Sequence, residues 1–219
     1  MTLRVGLTGG LASGKTTVAE MFAARGAHVM YADKIGHELM QPGEPVHDEV
    51  VRHFGKAIVN SDQSINRSAL AEIAFGTGRI EELNQIVHPA VVGRLEQWID
   101  EMTEFDPRAI LIFEAALIPE AGLGKHFNKL VVVTSEPQQK LERFAVRTLR
   151  GMQDDVQRSQ ALREAERRIG IQLSDAEKIA AADYVIDNSG TVTETERQVN
   201  KIYKELQQLA AGRRPESLS

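Results

Sequence analysis

The sequence predicts an α/β fold: a P-loop type core with a parallel five-stranded sheet flanked by helices, interrupted by a helical insertion and carrying an arginine-rich segment. Three observations predict it. Short apolar runs alternate with stretches of helical periodicity, which implies parallel strands joined by right-handed crossovers. Two of those runs, AILIF at 109–113 and KLVVV at 129–133, are continuously apolar, as strands covered on both faces are. A glycine-rich loop, GLTGGLASGKTT at 6–17, stands between the first run and the first helix.

Leu3, Val5 and Leu7 alternate before that loop, and Val18, Met21 and Phe22 recur at helical spacing after it, so the chain opens as strand, loop, helix. Gly26 stops the helix, and HVMY at 28–31 reads as a second strand ending before Asp33. Helical periodicity dominates 34–104. It starts around a turn, QPGEP, and includes Leu83, Ile86 and Val87 before His88 and Pro89, then Val91, Leu95 and Ile99. YVID at 184–187 is the last strand, followed by a helix from about Thr193 to Leu209. The expected division is a sheet core carrying the glycine loop at 1–33, 105–147 and 173–210, a helical insertion at 34–104, a lid at 148–172 and a tail at 211–219.

Composition narrows the class. A chain of 219 residues, 42% hydrophobic, suits one α/β domain with insertions and can bury a sizeable core. A net charge of −5 argues against a general nucleic-acid surface. Cysteine is absent, which removes disulfides and thiolate metal sites and fits a reducing compartment. Neither a signal-like opening nor an apolar run of membrane-spanning length occurs. The expectation is a soluble cytoplasmic protein, monomeric or weakly self-associating, without membrane or nucleic-acid partners.

Gly9, Gly14, Lys15 and Thr16 satisfy GxxxxGK[ST] between a strand and a helix, where that pattern belongs. Glycines let backbone amides converge on phosphates, and the following helix N-terminus adds partial positive charge. Gly10, Leu11, Ala12, Ser13 and Gly14 would line the phosphates. Lys15 would reach the β- and γ-phosphates, the Thr16 hydroxyl would ligate Mg²⁺, and Thr17 would cap the helix or meet the α-phosphate. The competing reading is a glycine-rich turn that binds nothing.

Asp33 follows the second strand at its carboxyl edge, where doubly wound sheets bind ligands. It can accept a proton from an acceptor hydroxyl, sit near Mg²⁺, or serve as N-cap of a helix starting near Lys34. Arg143 and Arg147, one helical turn apart, begin a charged segment that either closes over phosphates or forms a solvated face.

With these parts in place the sequence resembles the dephospho-CoA kinases, a family of P-loop kinases, from about Leu3 to Tyr203. LTGGLASGKTTVAEMF resembles that family's LTGGIGSGKS region, and ADKIG its DAD segment. IVHPAV resembles IxHPxV, AALIPEAGL resembles PLLFE, and RRIGIQLSDAEKIAAADYVIDNSG its closing pattern. The resemblance implies ATP and Mg²⁺ as cofactors and the ribose 3′-hydroxyl of dephospho-CoA as acceptor. It implies Asp33 as general base, Lys15 and Arg147 as catalytic cations, and Arg143, Asn188 and Gly190 on the nucleotide. Asp33, Arg67, His88 and Glu120 would face the acceptor. Structural alternatives are a helix-end histidine for His88, a solvated loop residue for Glu120 and an ordinary turn for Asn188. Ala12 stands where the family has glycine, harmless only if its φ is negative. Tyr31 stands where a second aspartate is common, and Ala116 and Pro119 depart from PLLFE.

Two other functions fit parts of the pattern. Another small-acceptor kinase, acting on a nucleotide, nucleoside or shikimate-like hydroxyl, would share the loop, Asp33 and lid. A GTPase-like switch would use DKIG at 33–36 as DxxG, but that begins 17 residues after Thr16, and NKLV at 128–131 lacks the guanine-reading aspartate.

Overall fold

A computed structural model describes residues 1–149, 158–159, 161–163, 165, 169 and 172–212. Most of the lid expected at 148–172, including Arg168, lies outside the described residues, as do 213–219 of the expected tail. Contacts divide the chain into two units, Met1–Met30 with Met102–Ser219, and Tyr31–Glu101.

The first unit is built on a five-stranded sheet: β1 Leu3–Gly9, β2 His28–Tyr31, β3 Ile110–Glu114, β4 Lys129–Thr134 and β5 Tyr184–Asp187. Their order is β2-β3-β1-β4-β5. Pairing of β1 with β3 and β4, and of β4 with β5, is parallel. Helix α1 (Lys15–Ala23) follows β1, α6 (Pro137–Leu149) follows β4, α7 (Asp175–Ala180) precedes β5, and α8 (Val192–Ala210) follows it. Val5, Leu7, Ile112, Val131 and Val133 are inaccessible to solvent, so the apolar runs are central strands. Each such side chain contributes about 1.5–3 kcal/mol of burial. Because β1 leads on to β2 on one side while its neighbour β3 leads on to β4 on the other, a crevice opens at the carboxyl end of β1. The glycine loop occupies that end.

Two later helices start on reciprocal caps. Ser174 with Glu177 opens α7, and Thr191 with Glu194 opens α8.

The second unit is helical: α2 (Ala32–Leu39), α3 (Pro45–Phe54), α4 (Arg67–Gly76) and most of α5 (Ile80–Phe105). Val46, Val50, Phe54, Ile58, Ile65 and Leu70 form its core, with Leu83, Ile86, Val87 and Ala90 packed against them. Pro45 opens α3, and Asn66 caps α4 by accepting from the Ala69 amide at 3.1 Å. The helix does not end at His88. α5 runs through Pro89, because Ile86, Val87 and Ala90 on either side of it share one apolar surface whose burial offsets the missing backbone hydrogen bond. Among the described residues no helix is long and apolar enough to cross a membrane.

Candidate active site

The loop after β1 needs glycine at two points for steric reasons. A Cβ on Gly9 would stand 2.1 Å from the Val133 carbonyl oxygen of β4. One on Gly14, which caps α1 at φ 94°, would stand 2.0 Å from Asn188 Nδ2. Ala12 adopts φ 55°, so its methyl sits in the left-handed region the sequence reading marked as unfavourable. Replacing Ala12 with Gly should therefore raise unfolding stability by about 0.5–1 kcal/mol, net of the freedom glycine adds to the unfolded chain. A thermal denaturation curve that moved downward would contradict this.

Lys15 Nζ donates to the carbonyls of Gly9 and Gly10, both at 3.1 Å, so the lysine folds across the mouth of the loop. The Thr16 hydroxyl stands 3.5 Å from Glu114 Oε2, and Thr17 is exposed beside it. Glu114 is buried at the carboxyl end of β3, in register with Leu7 of β1. The sequence reading missed it. Its signal was a carboxylate closing a run of apolar residues, ILIFE, on a strand next to the loop strand. A hydroxyl and a carboxylate suit Mg²⁺, which takes one or two protein oxygens and completes its shell with phosphates and water.

The loop is held by side chains from the end of the chain. Gln172 Oε1 accepts the Leu11 amide at 3.1 Å. Asn188 Nδ2 donates to the Ser13 carbonyl at 2.9 Å, and its Oδ1 accepts from Thr195 at 2.9 Å. Arg143 Nη2 donates to the Asn188 carbonyl at 3.0 Å, while its Nη1 is buried without a partner. An orphaned guanidinium donor beside a glycine loop fits a nucleotide. Gly190 lies ahead of the α8 cap, where a Cβ would stand 2.4 Å from Glu194 Oε2. Arg147, exposed in the last turn of α6, lies over the Phe144 ring at 5.7 Å.

Glu120 is bound into the same unit. Its Oε1 accepts from Lys178 Nζ at 2.9 Å and from the Leu173 amide at 3.0 Å, and Oε2 is buried without a partner. Lys178, wholly buried, also donates to the Ala116 carbonyl at 2.9 Å, which accepts from Thr8 of β1 at 3.1 Å.

In the second unit Asp33 is exposed in the first turn of α2, which begins at Ala32 rather than near Lys34; the N-cap is Tyr31, whose side chain makes no capping hydrogen bond. The Tyr31 ring carries the Lys34 ammonium at 4.2 Å. One turn beyond Asp33, His37 lies with Arg67 in the lining of a hollow of about 200 Å³, together with Met40, Gln41, Ser64 and Ile65. Burial, and then the Arg67 charge, lower the His37 pKa, with Asp33 opposing them. The sequence reading did not single out His37, although its i+4 spacing from Asp33 was visible. His88 is half-buried in α5, and that burial lowers its pKa against the opposing charge of Glu81.

A parallel α/β sheet with a phosphate loop at its switch point defines a nucleotide-binding protein of the P-loop kinase type. A family model described as dephospho-CoA kinase matches residues 3–194. The dephospho-CoA kinase of Aquifex aeolicus is 39% identical over 204 residues, 93% of this chain and 97% of that protein. That of Leifsonia xyli is 40% identical over 200 residues, 91% and 96% of the two chains. The crystal structure of TT1252 from Thermus thermophilus superposes with a TM-score of 0.72 at 26% identity, covering 94% of this chain and 98% of that one. The chain belongs to the dephospho-CoA kinase family.

Proposed function

We propose that this chain transfers the γ-phosphoryl group of ATP to the ribose 3′-hydroxyl of dephospho-CoA, giving CoA and ADP, the last step of coenzyme A biosynthesis. The observation that carries this is the phosphate loop at the carboxyl end of β1, with Lys15 across its mouth and Thr16 facing Glu114, in a chain of this family. Dephospho-CoA and ATP are the small-molecule partners, and a cytoplasmic, monomeric or weakly self-associating state belongs to the same proposal.

The transfer forms a bond from the acceptor oxygen to phosphorus and breaks the bond from phosphorus to the bridging oxygen, which leaves on ADP. Asp33 takes the acceptor's proton as general base. Lys15 and the loop amides neutralise charge on the β- and γ-phosphates, and Arg147 adds a cation from α6. Thr16 and Glu114 would hold Mg²⁺, which supplies charge neutralisation to the phosphates when bound. Arg143, Asn188 and Gly190 flank the nucleotide. Arg67, His88 and Glu120 are assigned to the acceptor, the helical insertion at 34–104 to its recognition, and 148–172 to a lid that excludes water.

The test is ADP release from MgATP with dephospho-CoA, AMP, adenosine and shikimate offered separately. Stimulation by dephospho-CoA alone is expected. Stimulation by AMP but not by dephospho-CoA would overturn the assignment.

A further inference from the structure

One ion pair beside the phosphate loop has no part in the mechanism above. Lys140 lies in the first turn of α6 with its side chain 7% exposed, and its ammonium is paired with Asp175 Oδ2 in the first turn of α7. Thr134, at the carboxyl end of β4, donates to the same oxygen at 3.0 Å. Both charged groups stand over Gly10: a Cβ there would lie 3.1 Å from Lys140 Nζ and 3.0 Å from Asp175 Oδ1. On the other side Lys15 Nζ reaches the Gly10 carbonyl at 3.1 Å.

The placement runs against local electrostatics in two ways. A cation in the first turn of a helix opposes the helix dipole, and burying an ammonium costs several kcal/mol before any pairing. A carboxylate that close to a loop built for phosphates would repel them. Both problems are relieved if a phosphate lies beside Gly10 and the Lys140 ammonium, a group with three donors, serves both it and Asp175.

We propose that Lys140 is a second phosphate-contacting cation of the loop, directed at the γ-phosphate of the nucleotide, with Asp175 as the counter-charge of its buried ammonium. The proposal rests on reading 9–17 as the ATP phosphate loop. It predicts a readout that a purely structural ion pair would not give, namely discrimination between nucleoside triphosphate and diphosphate.

The experiment is calorimetric titration of the full chain with MgATP and with MgADP, for the wild type, Lys140→Met, Asp175→Asn and the double variant. Lys140→Met is expected to weaken ATP binding about tenfold or more, with ADP binding changed by less than about threefold. The double variant should stay weak toward ATP, because removing Asp175 does not replace the lost cation. Equal losses for ATP and ADP, or recovery of ATP binding in the double variant, would overturn the proposal; recovery would reduce Lys140 to neutralising Asp175. If melting curves show that Lys140→Met does not fold, Asp175→Asn decides. It keeps the cation and should bind ATP at least as tightly as wild type, and weakened ATP binding would overturn the proposal. A wild-type chain that bound neither nucleotide would sink the loop reading itself, a result separable from failure of the Lys140 variants.

Discussion

Replacing Asp33 with Asn should lower kcat for dephospho-CoA phosphorylation by about 10²–10⁴-fold while ATP binding stays near the wild-type value. The substitution keeps the size and exposed position of the side chain at the start of α2 but removes its capacity to take a proton. Tyr31, not Asp33, is the N-cap, and it makes no side-chain cap bond, so the variant loses no capping hydrogen bond. The change should therefore appear in turnover with little cost in stability. Steady-state kinetics and nucleotide titration on the same preparation separate the alternatives. A parallel loss of ATP affinity would assign Asp33 to the nucleotide or its metal instead of to the acceptor proton.

Lys178→Met should be the most destabilising single change outside the apolar core, by about 3–5 kcal/mol, because it leaves the Glu120 carboxylate without its cation. Lys178 has no exposure, and its ammonium joins the Glu120 carboxylate to the Ala116 carbonyl. A loss of that size is a large part of the ~5–15 kcal/mol by which a domain is stable. Urea unfolding with an unchanged m-value would measure it, and Lys178→Met with Glu120→Gln should recover part of the loss by removing the stranded charge. A midpoint shift equivalent to less than about 1 kcal/mol would show that the pair contributes little beyond its packing. The same contact reaches the loop strand through Thr8, so weaker ATP binding should accompany the loss of stability.

The sheet was legible because its central strands are buried on both faces. ILIFE is buried throughout and the three valines of KLVVVT are buried beside the loop strand, and such apolar runs admit little else in a chain that alternates them with helices. The loop was legible because phosphate binding by backbone amides imposes its own spelling. Pro89 does not end α5, so the helix-end alternative for His88 falls: a local rule about proline is overridden by apolar packing on both sides of it. Glu114 was missed because a single carboxylate at the end of a strand carries no pattern. Its meaning depends on the neighbouring strand β1, more than a hundred residues away in sequence.

By itself, the sequence determined the class of fold, the phosphate loop and the family, because each is written in local periodicity or in residues whose spacing is set by backbone geometry. Only the tertiary structure decided that Ala12 lies in the left-handed region and that Gly14 must yield its space to Asn188. It also decided that Glu114 faces Thr16 and that Lys140 and Asp175 stand over Gly10. These are contacts between strand ends and helix starts far apart along the chain. Hydrogen bonding and Coulomb attraction act over a few ångströms in space, so sequence distance carries no information about them.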